Sequence, residues 1–282
     1  MSHALFVSMK LKTPFLLLAT LIAGTTPAAQ AATVVKIVPH RAVYQMSLAQ
    51  SRQTSQIINA EGKMTYTLGD ACDGWTNEQK LEMKYYYAQG QVVASMVSNA
   101  SWEAKDGSRY SFAARSGSDG QENSAFRGEA TRDDVKNGKV TYVVPQGKEG
   151  VLQPGTIFPN HHTVQILQAA ADAEKMPNKI VFDGSDENGQ SEISIFIGKP
   201  TPFAKDAFPD VKLHENPLIQ GESWPIRMAF YPMKPDGAGM PDYEMTMDML
   251  PNGVARSMLV DYGDFTVRGV LTMIETMPQN GC

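Results

Sequence analysis

The sequence predicts an all-β protein whose strands form an antiparallel meander. Three observations predict this fold class: period-two alternation of apolar and polar residues along most segments, turn residues between these segments, and one helical segment among them. Many short strands at close spacing are typical of a barrel, a sandwich or a coiled sheet rather than of an α/β protein. Since no shift in composition marks a linker, we expect one continuous domain.

The first segment has the features of an export signal. Lys10 and Lys12 precede an apolar run over residues 15–23, which is too short to span a bilayer stably. Small residues then lead to Ala29-Gln30-Ala31, an A-x-A cleavage pattern. We therefore expect residues 1–31 to be removed after Ala31, leaving the single domain 32–282.

The start of the signal is ambiguous. Met9 is followed by Lys-Leu-Lys, which would also make a normal beginning. The sequence therefore leaves open whether translation starts at Met1 or Met9.

The charge balance excludes two classes of partner. The whole chain carries a net charge of −5, and the first 31 residues contain two lysines and no acidic residue. Nucleic-acid binding needs basic clusters that neutralise phosphates, and adhesion to anionic lipid headgroups needs a similar excess. After the signal, no apolar stretch approaches eighteen residues, so we expect no transmembrane segment in the mature chain.

The strand-like segments alternate in hydrophobicity and end at turn residues. Asp106-Gly107, Asp119-Gly120 and Asn137-Gly138 are hairpin signals, because such pairs supply the positive φ angles of tight primed turns. The predicted strands cover residues 41–48, 58–68, 75–87, 91–103, 109–116, 124–132, 139–144, 179–183, 191–197, 224–231, 243–250, 253–262 and 265–277.

One segment near residues 160–175 predicts a helix. Good helix formers fill residues 163–175, Pro159-Asn160 stands before them and Met176-Pro177 stops them. Its narrow apolar stripe indicates that it lies against the concave side of a curved sheet. The Pro-rich residues 199–225 predict a long irregular crossing.

Cys72 and Cys282 are the two cysteines, and an exported chain would meet an oxidising compartment. A disulfide between them is the leading prediction, with two buried free thiols or an intermolecular bridge as alternatives. Because it closes a loop of about 200 residues, the bond would stabilise the fold by up to roughly 5 kcal/mol in the chain-entropy model. There is no C-x-x-C pair, which argues against a redox site.

Several patterns resemble metal sites but favour a structural role. Adjacent helical residues point about 100° apart, so His161 and His162 cannot easily address one ion. Residues 183–189 lack the later ligand positions of a calcium loop and fit a solvated hairpin. Met245, Met247 and Met249 could bind Cu(I), but their alternation is that of an inward strand face. We therefore predict no metal and no cofactor.

Catalytic signatures are also missing from the sequence. It contains no G-x-S-x-G elbow, no S-x-x-K, no H-E-x-x-H and no phosphate-binding glycine loop. We therefore predict a non-enzymatic protein with no catalytic residues. Amphipathic aromatic residues could instead line a groove for a lipid or peptide, or simply cover a half-buried sheet. They are Trp75, Tyr85, Tyr87, Trp102 and Trp224.

The chain resembles the EipB family of exported alphaproteobacterial envelope proteins over essentially its whole mature length. The matching stretches are Leu152-Gln-Pro-Gly-Thr-Ile-Phe-Pro159 with His162 and the helix, Trp224-Pro225, Pro241-Asp242-Tyr243-Glu244, Asn252-Gly253-Val254-Ala255-Arg256, Asp261-Tyr262-Gly263-Asp264-Phe265, and Cys282 with Cys72.

The resemblance implies a β-spiral, an open barrel-like sheet of about 14 strands with a helix in its concavity and a disulfide between the two cysteines. It also implies a periplasmic protein that maintains the outer membrane under stress. The leading hypothesis is a non-enzymatic protein that supports envelope integrity by binding another envelope protein. The alternatives are a carrier of lipid or lipoprotein in the concave face, and a cell-wall hydrolase.

Overall fold

The computed structural model describes residues 35–133, 137–186, 189–208, 210–233 and 239–278. All of them belong to one compact unit. The predicted signal segment, with its cleavage after Ala31, lies outside the described residues. The strands are β1 (His40–Ser51), β2 (Ile57–Asp70), β3 (Gly74–Tyr87), β4 (Val92–Ala104), β5 (Arg109–Ser118), β6 (Gln121–Thr131), β7 (Gly138–Val144), β8 (Glu149–Leu152), β9 (Lys179–Phe182), β10 (Gln190–Ile197), β11 (Trp224–Pro232), β12 (Tyr243–Met249), β13 (Ala255–Asp261) and β14 (Phe265–Thr276).

These strands form a single antiparallel sheet that is nearly closed like a barrel. Their order is β8-β7-β6-β5-β4-β3-β2-β1-β14-β13-β12-β11-β10-β9. Neighbours in the sheet are therefore neighbours in sequence, except where β1 pairs with β14. The prediction of a curved antiparallel sheet of about 14 strands is confirmed.

The two edges of the sheet, β8 and β9, are joined by the side chain of Gln190, the first residue of the neighbouring β10, and by one isolated bridge. Gln190 Nε2 donates to Val151 O and its Oε1 accepts from Gln153 N, each at 3.1 Å. Ile157, in the segment after β8, forms a parallel bridge with Val181 of β9. These contacts cover edges that would otherwise leave backbone groups unpaired.

The helix α1 (Pro159–Ala171) connects the two edge strands and packs on the inner face of the sheet. Its buried Ile166 and Leu167 belong to one apolar cluster with residues of β9–β13. The predicted helix near residues 160–175 is confirmed: it begins at Pro159, as expected, but it ends at Ala171, about one turn before the expected end. It ends early because Ala173 adopts a left-handed conformation with φ 55°, and Glu174 N then donates to Ala169 O.

The predicted irregular crossing contains three short 3-10 helices, Lys205–Ala207, Val211–Glu215 and Pro217–Ile219. Its buried Phe208, Leu213 and Ile219 pack into a second cluster with residues of β1, β2 and β14. The crossing therefore supplies the core for a part of the sheet that the helix does not cover.

Buried Arg256 of β13 ties the crossing to the sheet. Its Nε donates to Ile219 O at 3.0 Å and its Nη1 to Ser223 Oγ at 3.0 Å, while Nη2 donates to Gly221 O. The guanidinium also lies 4.8 Å from the ring of Phe203. Three donors of one side chain thus satisfy carbonyl and hydroxyl groups of an irregular segment.

One expectation from the sequence is corrected, and one strand was not predicted. Asn137-Gly138 was expected to form a tight primed turn, but Gly138 begins β7 and has no positive φ. A glycine is needed there because an added Cβ would lie 2.4 Å from Thr131 O. The edge strand β8 was not expected, since four residues that include Gly150 show no clear alternation.

Candidate functional site

The candidate site is a cavity of about 320 Å³ in the interior of the sheet, below the first turn of α1. Strands β1–β5 and β9–β13 line it from opposite sides with their inward residues. Asp183 of the β9–β10 loop also lines the cavity and is solvent-exposed, so the cavity opens towards solvent beside that loop.

One side of the cavity is a methionine wall, which we define as Met228, Met245, Met247, Met249 and Met258. Met245, Met247 and Met249 alternate along β12, and the strand pairing places them opposite inward residues of β11 and β13. The prediction that this alternation marks an inward face is confirmed. Thioether side chains are flexible and polarizable, so such a wall adapts to the shape of what it contacts.

The opposite side is a polar wall, made of Asn77, Gln79, Asn99 and Ser101 on β3 and β4, and of Asn160 and His162 on α1. The cavity is thus apolar on one side and rich in neutral hydrogen-bonding groups on the other. This composition suits a molecule that has one polar end and one apolar part.

Glu103 of β4 positions the helical part of the polar wall. It is 1% exposed, and its carboxylate accepts from Asn160 N at 2.7 Å and from His161 N at 2.8 Å. The residue before the helix, Phe158, has no side-chain acceptor and makes no cap. A carboxylate from a distant strand therefore satisfies the free N–H groups of the first helical turn.

Burial shifts the protonation of two groups at this end of the helix. Burial raises the pKa of Glu103 to about 7, although the N–H donors of Asn160 and His161 oppose the rise. Burial lowers the pKa of His162 to about 4, with a contribution from the positive charge of Lys179. His162 is therefore a neutral imidazole near pH 7, able to donate from one ring nitrogen and accept at the other.

Three residues of the polar wall each have a buried polar atom with no hydrogen-bond partner among the described residues. These atoms are Asn99 Oδ1, Asn160 Nδ2 and His162 Nε2. His162 is only 5% exposed and Asn160 only 6%. The Asn160 side chain still helps to lower the pKa of Glu103, without reaching good hydrogen-bond geometry. Unsatisfied groups of this kind are costly unless something in the cavity pairs with them.

Two of the tyrosines that line the cavity, in contrast, have hydrogen-bond partners for their hydroxyl groups. Tyr44 donates its hydroxyl proton to Ala255 O at 2.8 Å, and Tyr66 donates to Asn77 Oδ1 at 2.7 Å. Burial raises the pKa of both hydroxyls above their ordinary value. These two side chains therefore act as neutral structural groups, and they hold the sheet around the cavity.

The histidine pair diverges as the sequence predicts. His162 faces the cavity, whereas the His161 ring lies beside Gly107 of the β4–β5 turn. Within the described part of the chain, no group of three or more His, Cys, Asp or Glu side chains is placed to hold a metal ion. β9 and β10 pair as an antiparallel hairpin, as expected, and the described residues 183–186 and 189 lie between them.

The five aromatic residues singled out from the sequence do not come together. Trp75 and Trp224 pack beside the helix cluster, while Tyr85 and Tyr87 pack against the crossing cluster. Trp102 points outward, where the guanidinium of Arg109 lies 5.4 Å from its ring. None of the five is among the residues that line the cavity.

The cysteines and the membrane question have partial answers. Cys72 follows β2, and no free cysteine occurs among the described residues. Cys282 lies outside them, so the pairing of Cys72 with Cys282 stays a prediction.

In the described ranges, no helix has the length and apolar character that a membrane crossing requires.

Sequence reasoning missed Glu103, Asn99 and the inward role of His162. A signal for them exists, because Asn99, Ser101 and Glu103 alternate along β4 at positions that the register places opposite the polar Gln79 and Asn77 of β3 and beside Trp75. Two neighbouring strands with polar residues on the inward face are unusual for a sheet around a core. Only knowledge of which face is inward turns that pattern into a site.

Comparisons with known proteins agree with this architecture. A family model described as EipB-like matches residues 31–278. The chain is 28% identical over 257 residues to the cell envelope integrity protein EipB of Brucella abortus (strain 2308), a match that covers 90% of this chain and 89% of that protein. It is also similar to the crystal structure of a β-barrel-like protein of a domain of unknown function from Brucella abortus, with a TM-score of 0.77 and 25% identity over 86% of this chain and 100% of the other. Because the family model matches far more than half of the sequence, this chain belongs to the EipB-like family.

Proposed function

We propose that this protein supports the integrity of the cell envelope from the periplasm, as a binding protein rather than an enzyme. One observation carries the proposal: the chain matches a protein named for cell envelope integrity over nearly the full length of both. The signal-like residues 1–31 support a periplasmic location. The leading partner is another envelope protein, since the sequence carries no catalytic signature.

Survival under envelope stress tests this role. Cells that lack the gene should lose viability in detergent, and a copy of the gene supplied in trans should restore it. A matched copy without residues 1–31 should fail to restore survival, because the protein would stay in the cytosol. Unchanged survival of the deletion strain would contradict the proposal.

Cell fractionation tests the location separately. The protein should appear in the periplasmic fraction, and N-terminal sequencing should find Ala32 as its first residue. Retention of residues 1–31 in a cytosolic protein would contradict the proposed export.

A second candidate function is a periplasmic carrier or binder of a lipid-like molecule. A specific observation favours it, namely a cavity with a methionine wall on one side and unpartnered buried polar atoms on the other. Native mass spectrometry of protein purified from the periplasm would detect a retained lipid as an added mass. A single mass equal to that of the polypeptide would favour the protein-binding role instead.

A further inference from the structure

We infer that the interior cavity binds one uncharged, single-chain amphiphile, whose hydroxyl or amide head group hydrogen-bonds to Asn99 and His162 while its alkyl chain lies along the methionine wall. The inference deepens the second candidate function and rests on it. It adds the chemical class of the ligand and the residues that would select it.

The head-group preference follows from the hydrogen-bonding capacity of the unpartnered atoms. Asn99 Oδ1 is an acceptor and needs a donor, and His162 Nε2 serves in either role according to the tautomer of the ring. A hydroxyl or amide group both donates and accepts, so a single such group can pair with acceptor and donor at once. Because His162 is 5% exposed, bulk water does not satisfy this atom freely.

The charge of the lining argues against an anionic head group. None of the described residues that line the cavity is a lysine or an arginine. The one acidic residue among them, Asp183, adds no positive charge, so an incoming carboxylate or phosphate finds no counterion there. An ionised group buried without a partner of opposite charge is strongly unfavourable.

The neutral amides also give a permanent cation little to bind. The unpartnered groups carry no formal charge, and Asp183 Oδ1 already accepts from Ser185 N at 2.9 Å. A quaternary ammonium group would leave the Asn99 acceptor and the His162 nitrogen unpaired, because it has no N–H to donate. The polar wall therefore selects against both signs of charge.

The methionine wall and the volume of the cavity limit the size of the ligand's alkyl chain. About 320 Å³ is at the lower end of the range for small-molecule sites, which suits one alkyl chain rather than the two of a phospholipid. Flexible thioether side chains of the methionine wall can adjust to a linear chain without leaving voids.

Binding of three probes that each carry a twelve-carbon chain tests the inference. The protein, purified as the cell processes it and stripped of bound lipid, is titrated with monolauroylglycerol, with laurate at pH 8, and with dodecyltrimethylammonium, each below its micelle concentration. We expect monolauroylglycerol to bind with one-to-one stoichiometry and at least about tenfold more tightly than either ionic probe. Equal affinity for all three probes, tighter binding of an ionic probe, or binding of none of them would overturn the inference.

Variants then test the assigned residues. Asn99→Leu and His162→Phe keep similar volumes but remove the polar atoms, so each should weaken monolauroylglycerol binding by about tenfold. Asn59→Leu makes the same change on the exposed face of β2 and should leave binding unchanged. Unchanged binding in both cavity variants would overturn the assignment. If a variant fails to fold, as judged by its melting curve, the three-probe comparison on the natural protein still decides.

The outcome is separable from the envelope role. A failure of the three-probe test leaves the detergent sensitivity of the deletion strain intact, and it removes only the ligand class. Loss of the detergent phenotype instead removes the envelope role, whatever the cavity binds.

Discussion

Glu103 lies 57 positions before Asn160 in sequence, yet it provides the cap that the helix lacks locally. Placing this carboxylate at the start of α1 brings the strand β4 and the first helical turn together at the polar wall. Because Asn99 and His162 lie on those same two elements, Glu103 also fixes the distance between the unpartnered polar atoms. It is a positioning residue for the site, with its own side chain outside the cavity lining.

Glu103 and His162 couple the free energy of unfolding to pH with opposite signs. Folding raises the pKa of Glu103 from 4.5 to about 7, so the stability contributed by this group falls as the pH rises between those values. Folding lowers the pKa of His162 from 6.5 to about 4, so its contribution is complete above 6.5 and is lost as the pH falls towards 4. The two slopes therefore offset each other between about pH 4.5 and 6.5.

Replacing one of these two residues should reveal how the free energy of unfolding depends on pH through the other. We expect Glu103→Gln to make the free energy of unfolding rise more steeply with pH over this interval. In His162→Gln, the free energy of unfolding should rise less with pH or should fall. The difference between the two variants should be on the order of 2 kcal/mol or more across the interval, since one pKa unit is worth 1.36 kcal/mol. Urea denaturation at several pH values measures it. Glu78→Gln, an exposed change on β3, is the control, and parallel pH profiles for Glu78→Gln and Glu103→Gln would contradict the assignment.

Ala173 offers a second residue-level test. It has φ 55°, a left-handed conformation that costs an alanine roughly 1 kcal/mol or more and a glycine almost nothing. We expect Ala173→Gly to raise the free energy of unfolding by about 0.5–1 kcal/mol, after the added freedom of the unfolded chain is counted. Ala169→Gly, within α1, should lower it by about 1 kcal/mol. Thermal and urea unfolding of both variants would show whether the signs are opposite; a loss of stability in both would refute the role of Ala173.

At the scale of elements, Arg256 holds the crossing segment against the sheet. Arg256→Met keeps most of the apolar stem but leaves Ile219 O, Gly221 O and Ser223 Oγ without their donor. We expect a loss of about 3 kcal/mol and faster protease cleavage within residues 199–223, because buried acceptors lose their partners and the segment detaches.

The matched control for Arg256 is Arg227→Met. Arg227 pairs with Glu244 at the surface of β11 and β12, and a surface pair of this kind is worth about 1 kcal/mol or less. Limited proteolysis with mass mapping of the cleavage sites should separate the two variants. Identical cleavage patterns in the crossing would show that Arg256 does not hold it.

At the scale of elements, the sequence predicted what depends on neighbours in the chain. Alternation located nearly every strand to within a few residues, and Asp119-Gly120 forms the expected turn, with φ angles of 52° and 80°. The start of α1 was predicted to within about one residue, but its cap was not, because the capping carboxylate comes from β4. The edge strand β8 was missed for a related reason, since its pairing with β7 and its contacts with Gln190 come from the surrounding sheet.

The candidate site was predicted less well than the fold. The inward methionines of β12 followed from alternation, and the family followed from motifs such as residues 152–159, a prediction that the family match confirms. The polar wall did not follow, because a cavity is the volume that side chains from ten strands and a helix leave unfilled. No local pattern encodes that volume, so the unpartnered state of Asn99 and His162 becomes visible only in three dimensions.

At the scale of the molecule, the predicted disulfide should stabilise the whole domain. We expect Cys72→Ser and Cys282→Ser to lower the melting temperature and to raise protease sensitivity equally, because each removes the same closed loop of about 200 residues. The effect should approach, but not exceed, roughly 5 kcal/mol. Differential scanning calorimetry with and without a reductant provides the measurement. Identical melting curves for the oxidised and reduced protein would contradict the bond.

The central pairing of β1 with β14 has a consequence for assembly. On either side of this pairing, the order of strands in the sheet follows the chain. β1–β8 and β9–β14 are therefore each a run of local hairpins that can form independently. In the export that we propose, a polypeptide that emerges gradually from a secretion channel can complete the first run of strands before the second has left the channel. The last strand to emerge, β14, then pairs with the first one formed, β1. This late pairing joins two separate runs of strands into one sheet that encloses an interior.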